Sequence, residues 1–250
     1  MFRMLKLSPP HGWRTVIWEL AIVTAGVLIA LGVQQWAEKR SWNERRASAT
    51  EAIREEVKGH YFYAVEWRVT FPCIREQLGE LEARVLASKN VLDPAPVQIT
   101  DRVGTVVIRF PLKDLVMTAW ASALNDDVLI HFDPQTRSIL SDYYHSIGQI
   151  GPQSWANQDN RAELKVLSRP IPIDPNTRYS LLRSIDQLEG RATMMDLGFG
   201  EAIGFIYALK MTPSAAETHA EVVRWGTYKF CSVNKLPMRS FDQAMKGLSR

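Results

Sequence analysis

From Val16 to Val33 the chain runs apolar through eighteen residues, interrupted only by Glu19 and Thr24. As a helix rising 1.5 Å per residue, this run and its flanks (Trp13 to Ile17 before it, Gln34-Gln35-Trp36 after it) span the hydrocarbon core of a bilayer. A buried core helix would carry polar residues at helical spacing, and from Leu20 to Val33 almost none exist. A signal peptide has a shorter apolar region and ends in a small-residue cleavage site. Here the run ends in Gln34-Gln35-Trp36-Ala37-Glu38-Lys39-Arg40, without an A-x-A cut. The pattern therefore predicts an uncleaved transmembrane helix over 14–36, behind a short tail of 1–13.

Beyond it, helix-forming residues continue to Phe71, with Ala49, Ile53, Val57, Tyr61, Val65 and Val69 repeating every fourth position. That spacing predicts an amphipathic helix continuous with the span. Pro72 should kink or restart it, since proline lacks an N–H and crowds the preceding turn. A second helix is expected through Ile74, Leu78, Leu81 and Val85. Residues 90 to 113 hold Pro94, Pro96, Gly104 and Pro111 around a β-branched stretch, and read as a loop with at most one short hairpin. Helical pattern resumes from Leu112 to Leu124.

Two later helices open alike. Asp133-Pro134 and Asp174-Pro175 each set an N-cap aspartate before a proline at the first helical position. Leu140, Tyr144 and Ile147 then match Leu181, Ile185 and Leu188, which two independent helix starts explain as simply as a duplication. The second stripe keeps heptad phase from Leu181 through Ile185, Leu188, Ala192, Met195, Phe199, Ala202 and Ile206 to Leu209. One helix of roughly 50 Å is predicted, with Gly198, Gly200 and Gly204 allowing a neighbour to approach. Thr212-Pro213 ends it, and Ser214 to Arg224 makes a last short helix before a tail holding Cys231. The fold class expected is all-α: a transmembrane helix, then an extracytoplasmic helical bundle over 37–250 with short connections.

Composition adds the setting. With 46% hydrophobic and 23% charged residues the body is globular rather than disordered. Thirty basic residues alternate with 27 acidic ones, which argues against nucleic acid as a partner. Trp13, Trp18, Trp36 and Trp42 cluster about the apolar run, as a membrane interface selects. Glu19 lies within a turn or so of the membrane edge and reads as an interfacial carboxylate, with a contact to a partner helix as the alternative. Gly26 and Ala30 form one small-xxx-small pair and Ala21 and Ala25 another, read as one side of the span that favours close helix packing.

Basic residues are nearly balanced across the run, so they do not orient it; a signal anchor with its tail in the cytoplasm is the simplest topology. Glu19, Gly26, Leu28-Ile29-Ala30-Leu31 and Gln35-Trp36-x-Glu38-x-Arg40 resemble the N-terminal signature of a family of uncharacterised bacterial single-pass membrane proteins, a domain of unknown function. The resemblance covers residues 13 to 60. It implies a bacterial membrane protein with a mainly helical extracytoplasmic region, and brings no activity.

Cys73 and Cys231 are either two buried thiols or one disulfide, and the compartment decides. In an extracytoplasmic bundle they are expected to bond. Chemistry is otherwise sparse. Gly198-Phe199-Gly200-Glu201-Ala202-Ile203-Gly204 has its last glycine one place late and no preceding strand, so it fails as a dinucleotide motif. The five histidines, His11, His60, His131, His145 and His219, show no paired-ligand spacing, and no cofactor is expected. Asp142 and His145, and His131 and Asp133, read as surface pairs or caps; Glu55-Glu56 and Asp126-Asp127 read as solvated faces. No nucleophile motif appears. The favoured expectation is a non-catalytic interaction protein of the bacterial inner membrane, N-terminus cytoplasmic and C-terminal domain periplasmic. Its partners would be the lipid bilayer and other membrane subunits or a second copy. A ligand-sensing domain acting through a partner is the alternative.

Overall fold

The helix-forming residues that follow the apolar run never break, and the first helix reflects this. In the computed structural model, which describes residues 12–100 and 104–247, α1 runs from Gly12 to Ala87. The expected tail lies, up to His11, outside the described residues. The protein is 77% helical, so its class is all-α. The chain divides into two units, one ending at Thr50 and the other running from Glu51 to Arg250.

In the first unit, the described residues form the opening part of α1. Its most apolar 18-residue window has a mean hydropathy of 2.3, with none of it buried. By length and composition it is a candidate membrane span. Past the apolar run, Arg40 lies over Trp36 at 5.8 Å and Arg45 over Trp42 at 5.0 Å, side chains suited to a water boundary.

In the second unit every residue from His60 to Phe71 is buried. The four-residue repeat predicted one buried face; this segment is instead covered on all sides. Pro72 does not restart the helix either. It has no N–H for the Arg68 carbonyl, and the adjacent Val69 carbonyl accepts the N–H of Arg239 from the C-terminal segment. An interior proline costs about 3 kcal/mol. Complete burial offsets this, since each large side chain such as Trp67, Tyr61 or Tyr63 contributes about 2 kcal/mol or more.

Three long helices make the core: α1, α3 (Pro134–Leu164) and α4 (Pro175–Ala208). Asp133 caps α3 through the Thr136 N–H, and Asp174 caps α4 through those of Asn176 and Thr177, as the sequence predicts. Contacts run oppositely along α3 and α4: Glu163 meets Ser184, Ala156 meets Arg191, and Ile150 meets Gly198. A Cβ at Gly198 would lie 3.1 Å from Ile150, so this glycine sets the close approach. The long helix predicted from Leu181 onward is α4, and the glycines do not break it.

Against α1, α4 is antiparallel and α3 parallel. His60 bonds Tyr143, and Tyr63, further along α1, bonds Ser154, further along α3. A parallel pair requires the chain to travel back the length of the bundle, so the connection is long rather than short. The hairpin β1 (Gln98–Thr100) and β2 (Gly104–Val106) opens this return. An extended stretch then descends along α1, with Gln77 on Arg109, Tyr63 on Pro111 and His60 on Val116. Helix α2 (Thr118–Asn125) begins only there, so Leu112 to Met117, expected as helix, is not.

Near the end come α5 (Ala215–Val222), α6 (Gly226–Val233) and α7 (Phe241–Met245). The tail around Cys231 is thus a helix the periodicity did not reveal. Cys73 and Cys231 form a disulfide, Cα atoms 6.1 Å apart and 158 residues apart in sequence. Replacing both cysteines with alanine is expected to lower the stability of the second unit by up to about 5 kcal/mol, the loop-closure value for so long a loop. Equilibrium urea denaturation of the oxidised protein and the variant measures the difference.

Candidate functional site

Because α1 is buried all round, each polar side chain on that segment must find a partner inside the protein. His60 is the first. Its Nδ1 meets the Tyr143 hydroxyl at 2.9 Å and its Nε2 the Val116 carbonyl at 2.9 Å. A carbonyl only accepts, so Nε2 carries the proton and Nδ1 accepts from Tyr143. Burial holds the ring neutral and pushes its pKa down to about 4.

One turn earlier Glu56 accepts the Tyr144 hydroxyl at 2.7 Å and the Ala119 N–H at 2.8 Å. It thereby caps α2 from a distant helix, since Met117, the residue in the cap position, supplies no side-chain bond. The reading of Glu56 as a solvated face is corrected by these bonds; Asp126 and Asp127 are exposed, as expected. Trp120 stacks on Tyr144 with ring centres 4.7 Å apart.

Glu66 lies deeper. Burial pushes its carboxyl up to about 8, against the pull of the Tyr228 and Thr227 backbone N–H groups at the start of α6, and of Lys113 and Arg109. Arg109 lies over Phe230 at 5.8 Å and Lys113 over Trp225 at 4.7 Å. Arg161 of α3 is 5% exposed and lies over Phe110 at 4.9 Å.

A third cluster joins α1, α4 and the C-terminal segment. Arg239 grips Asp196 with two bonds of 2.9 and 3.0 Å, while Arg68 Nε stands 4.0 Å from the same carboxylate. Arg68 Nε and Nη1 are buried without hydrogen-bond partners. One acid thus serves two cations.

The residues singled out from the sequence fall elsewhere. Trp13, Trp18, Glu19 and Trp36 are exposed on the first unit's helix. Nothing stands within 4 Å of where a Gly26 Cβ would be, and Ala21, Ala25 and Ala30 are exposed too. At about 100° per residue, the Ala21/Ala25 pair lies about 140° around the helix from Gly26/Ala30. The small residues therefore mark two faces rather than one side, and Glu19 shares the face of Gly26 and Ala30. Only the cysteines come together. Asp133 is a helix cap, and Gly198 to Gly204 lie inside α4. Among the described residues no three His, Cys, Asp or Glu side chains gather closely enough to share a metal ion.

His60, Glu66, Arg68, Asp196 and Arg161 were not picked out by motif. The available signal was charge inside an apolar run, Tyr61 to Phe71 holding both Glu66 and Arg68. These features define an all-α protein with a candidate membrane span and a disulfide-closed helical unit whose interior is charged. Compared with known proteins, the chain matches no family model, no curated protein and no solved structure.

Two outcomes are expected. The unfolded carboxyl of Glu66 titrates near 4.5 and the folded one near 8, so the folded state binds more protons between them and stability falls as pH rises. For His60 the unfolded ring near 6.5 binds the extra proton, so its contribution is full above 6.5 and lost as pH falls towards 4. The slopes oppose below pH 6.5, and from 6.5 to 8 Glu66 acts alone. Denaturation midpoints of the native chain should fall over that window, and those of Glu66→Gln should stay level. Asp196→Asn should cost about 3–5 kcal/mol, because it strands two arginines, Arg68 among the buried ones; thermal and urea melts measure it.

Proposed function

We propose that the chain is a membrane-anchored, non-catalytic interaction protein, an accessory or assembly subunit of a bacterial inner-membrane or envelope complex. The observation that carries the reading is the contrast within α1. Its most apolar window is wholly exposed, whereas apolar residues from Ile53 to Val85 are buried. A soluble protein gains nothing by leaving such a stretch in water, and a bilayer covers it. The resemblance over residues 13 to 60 to single-pass bacterial proteins of unknown function supports the same placement.

The Cys73–Cys231 disulfide supports a second unit on the oxidising, periplasmic side, with the N-terminus cytoplasmic. Within the bilayer, Glu19 with Gly26 and Ala30 suits a polar, close contact with another subunit's helix or a second copy, the other small pair facing away. Ligand sensing through a partner is the second reading, favoured by the buried cations Arg161 and Arg68.

Carbonate washing of bacterial membranes should leave the chain in the pellet, and a thiol reagent added outside the inner membrane should find both cysteines bonded. Gentle detergent extraction and affinity purification should recover it with a second protein or as an oligomer. Recovery as a lone monomer would sink the subunit reading; release by carbonate would sink the anchor.

A further inference from the structure

Two cations compete for Asp196. Arg239 of the C-terminal segment binds both of its oxygens, at 2.9 and 3.0 Å, while Arg68 of α1 stands 4.0 Å from one of them. Arg68 is the more deeply buried, and its Nε and Nη1 have no hydrogen-bond partners. Buried donors left unpaired are costly, and more so when they carry charge. The better-buried guanidinium thus has the poorer share of the carboxylate. If Arg239 withdrew, Asp196 would need to shift by only about 1 Å to reach hydrogen-bond distance of Arg68 Nε.

Arg239 sits on a stretch of chain that can leave without its neighbours. Just before it, α6 is fixed to α1 by the Cys73–Cys231 disulfide. Helix α6 ends with the Leu236 N–H on the Cys231 carbonyl at 3.0 Å and with Lys235 at φ 53°, a left-handed conformation that favours glycine. Beyond that turn the Arg239 N–H meets the Val69 carbonyl at 2.9 Å. The Phe241 ring then lies 4.6 Å from that of His219 and 5.8 Å from that of Tyr228, and Ala244 is fully buried. At the far end a Cβ on Gly247 would stand 2.8 Å from the backbone of Gly204 in α4.

We propose that residues 236–247 are a releasable strap, closed while Arg239 holds Asp196 and opening as a unit about Lys235 when Asp196 passes to Arg68. The exchange of partners makes the element two-state, because the bond lost by Arg239 is replaced by one that the closed form lacks. Opening uncovers Gly204 on α4 and the His219 and Tyr228 rings beneath Phe241, while the disulfide keeps α6 in place. The strap lies wholly in the second unit and does not rest on the membrane anchor.

Hydrogen exchange of the full oxidised chain in detergent reads the opening, since a protected amide exchanges in proportion to its open population. Mass spectrometry follows 236–241, 242–247 and α6 separately. Arg239→Gln should speed exchange across the strap about tenfold or more, the loss of a charged hydrogen bond, with α6 unchanged. Arg68→Met should slow it by about as much, because it removes an unpaired cation from the closed form and the replacement bond from the open one. An Arg68 that only braces Asp196 predicts the opposite sign, so strap exchange unchanged or faster in Arg68→Met would overturn the proposal. Gly247→Ala serves if Arg68→Met does not fold, since its Cβ meets the α4 backbone rather than a side chain that can move. It should speed exchange over 236–241 as well as at its own end. Acceleration confined to 242–247, or α6 exchanging together with the strap, would equally sink the idea.

Discussion

Everything in the second unit answers to one constraint, the burial of α1 from His60 to Phe71 on every side. A helix covered all round needs neighbours all round. Helices α3 and α4 supply two of them, the extended stretch before α2 a third, and α6 with the C-terminal segment closes the remainder. The parallel placement of α3 follows, and with it the long return along α1. The disulfide ties α6 to α1 at the residue after Pro72, where the helix ladder is weakest.

The same burial explains the charged interior. Glu66 and Arg68 sit two residues apart and so point to different sides of the helix, where no single partner serves both. Glu66 turns to the start of α6, and Arg68 shares Asp196 with Arg239. Such pairings add little net stability, because desolvation nearly cancels attraction. What they do add is a condition: each neighbour must arrive in register, or a charge is stranded.

How far the fold was legible depends on whether a local rule decided each element. The Asp133 and Asp174 caps, the unbroken α4 and the single short hairpin were readable, because capping, periodicity and turn chemistry act within a few residues. The restart expected at Pro72 does not occur, because its local penalty is outweighed by packing that local pattern does not register. Leu112 to Met117 has helical composition, yet lies extended in a stretch whose backbone is held by side chains of α1, Tyr63 at the Pro111 carbonyl and His60 at that of Val116. Helix α6 was missed for the converse reason. Eight residues are marginal alone and depend on Cys231 and the interior they cover.

The sequence by itself determined the apolar stretch, the all-α class and the helix starts, since each rests on a property of consecutive residues. It also narrowed the cysteines to one question, which the fold answered by placing them together. Only the tertiary structure decided which charges face one another. Arg68, Asp196 and Arg239 are scattered along the chain and share no motif. Their meeting follows from how helices surround α1, and long-range packing of that kind leaves no local trace in sequence.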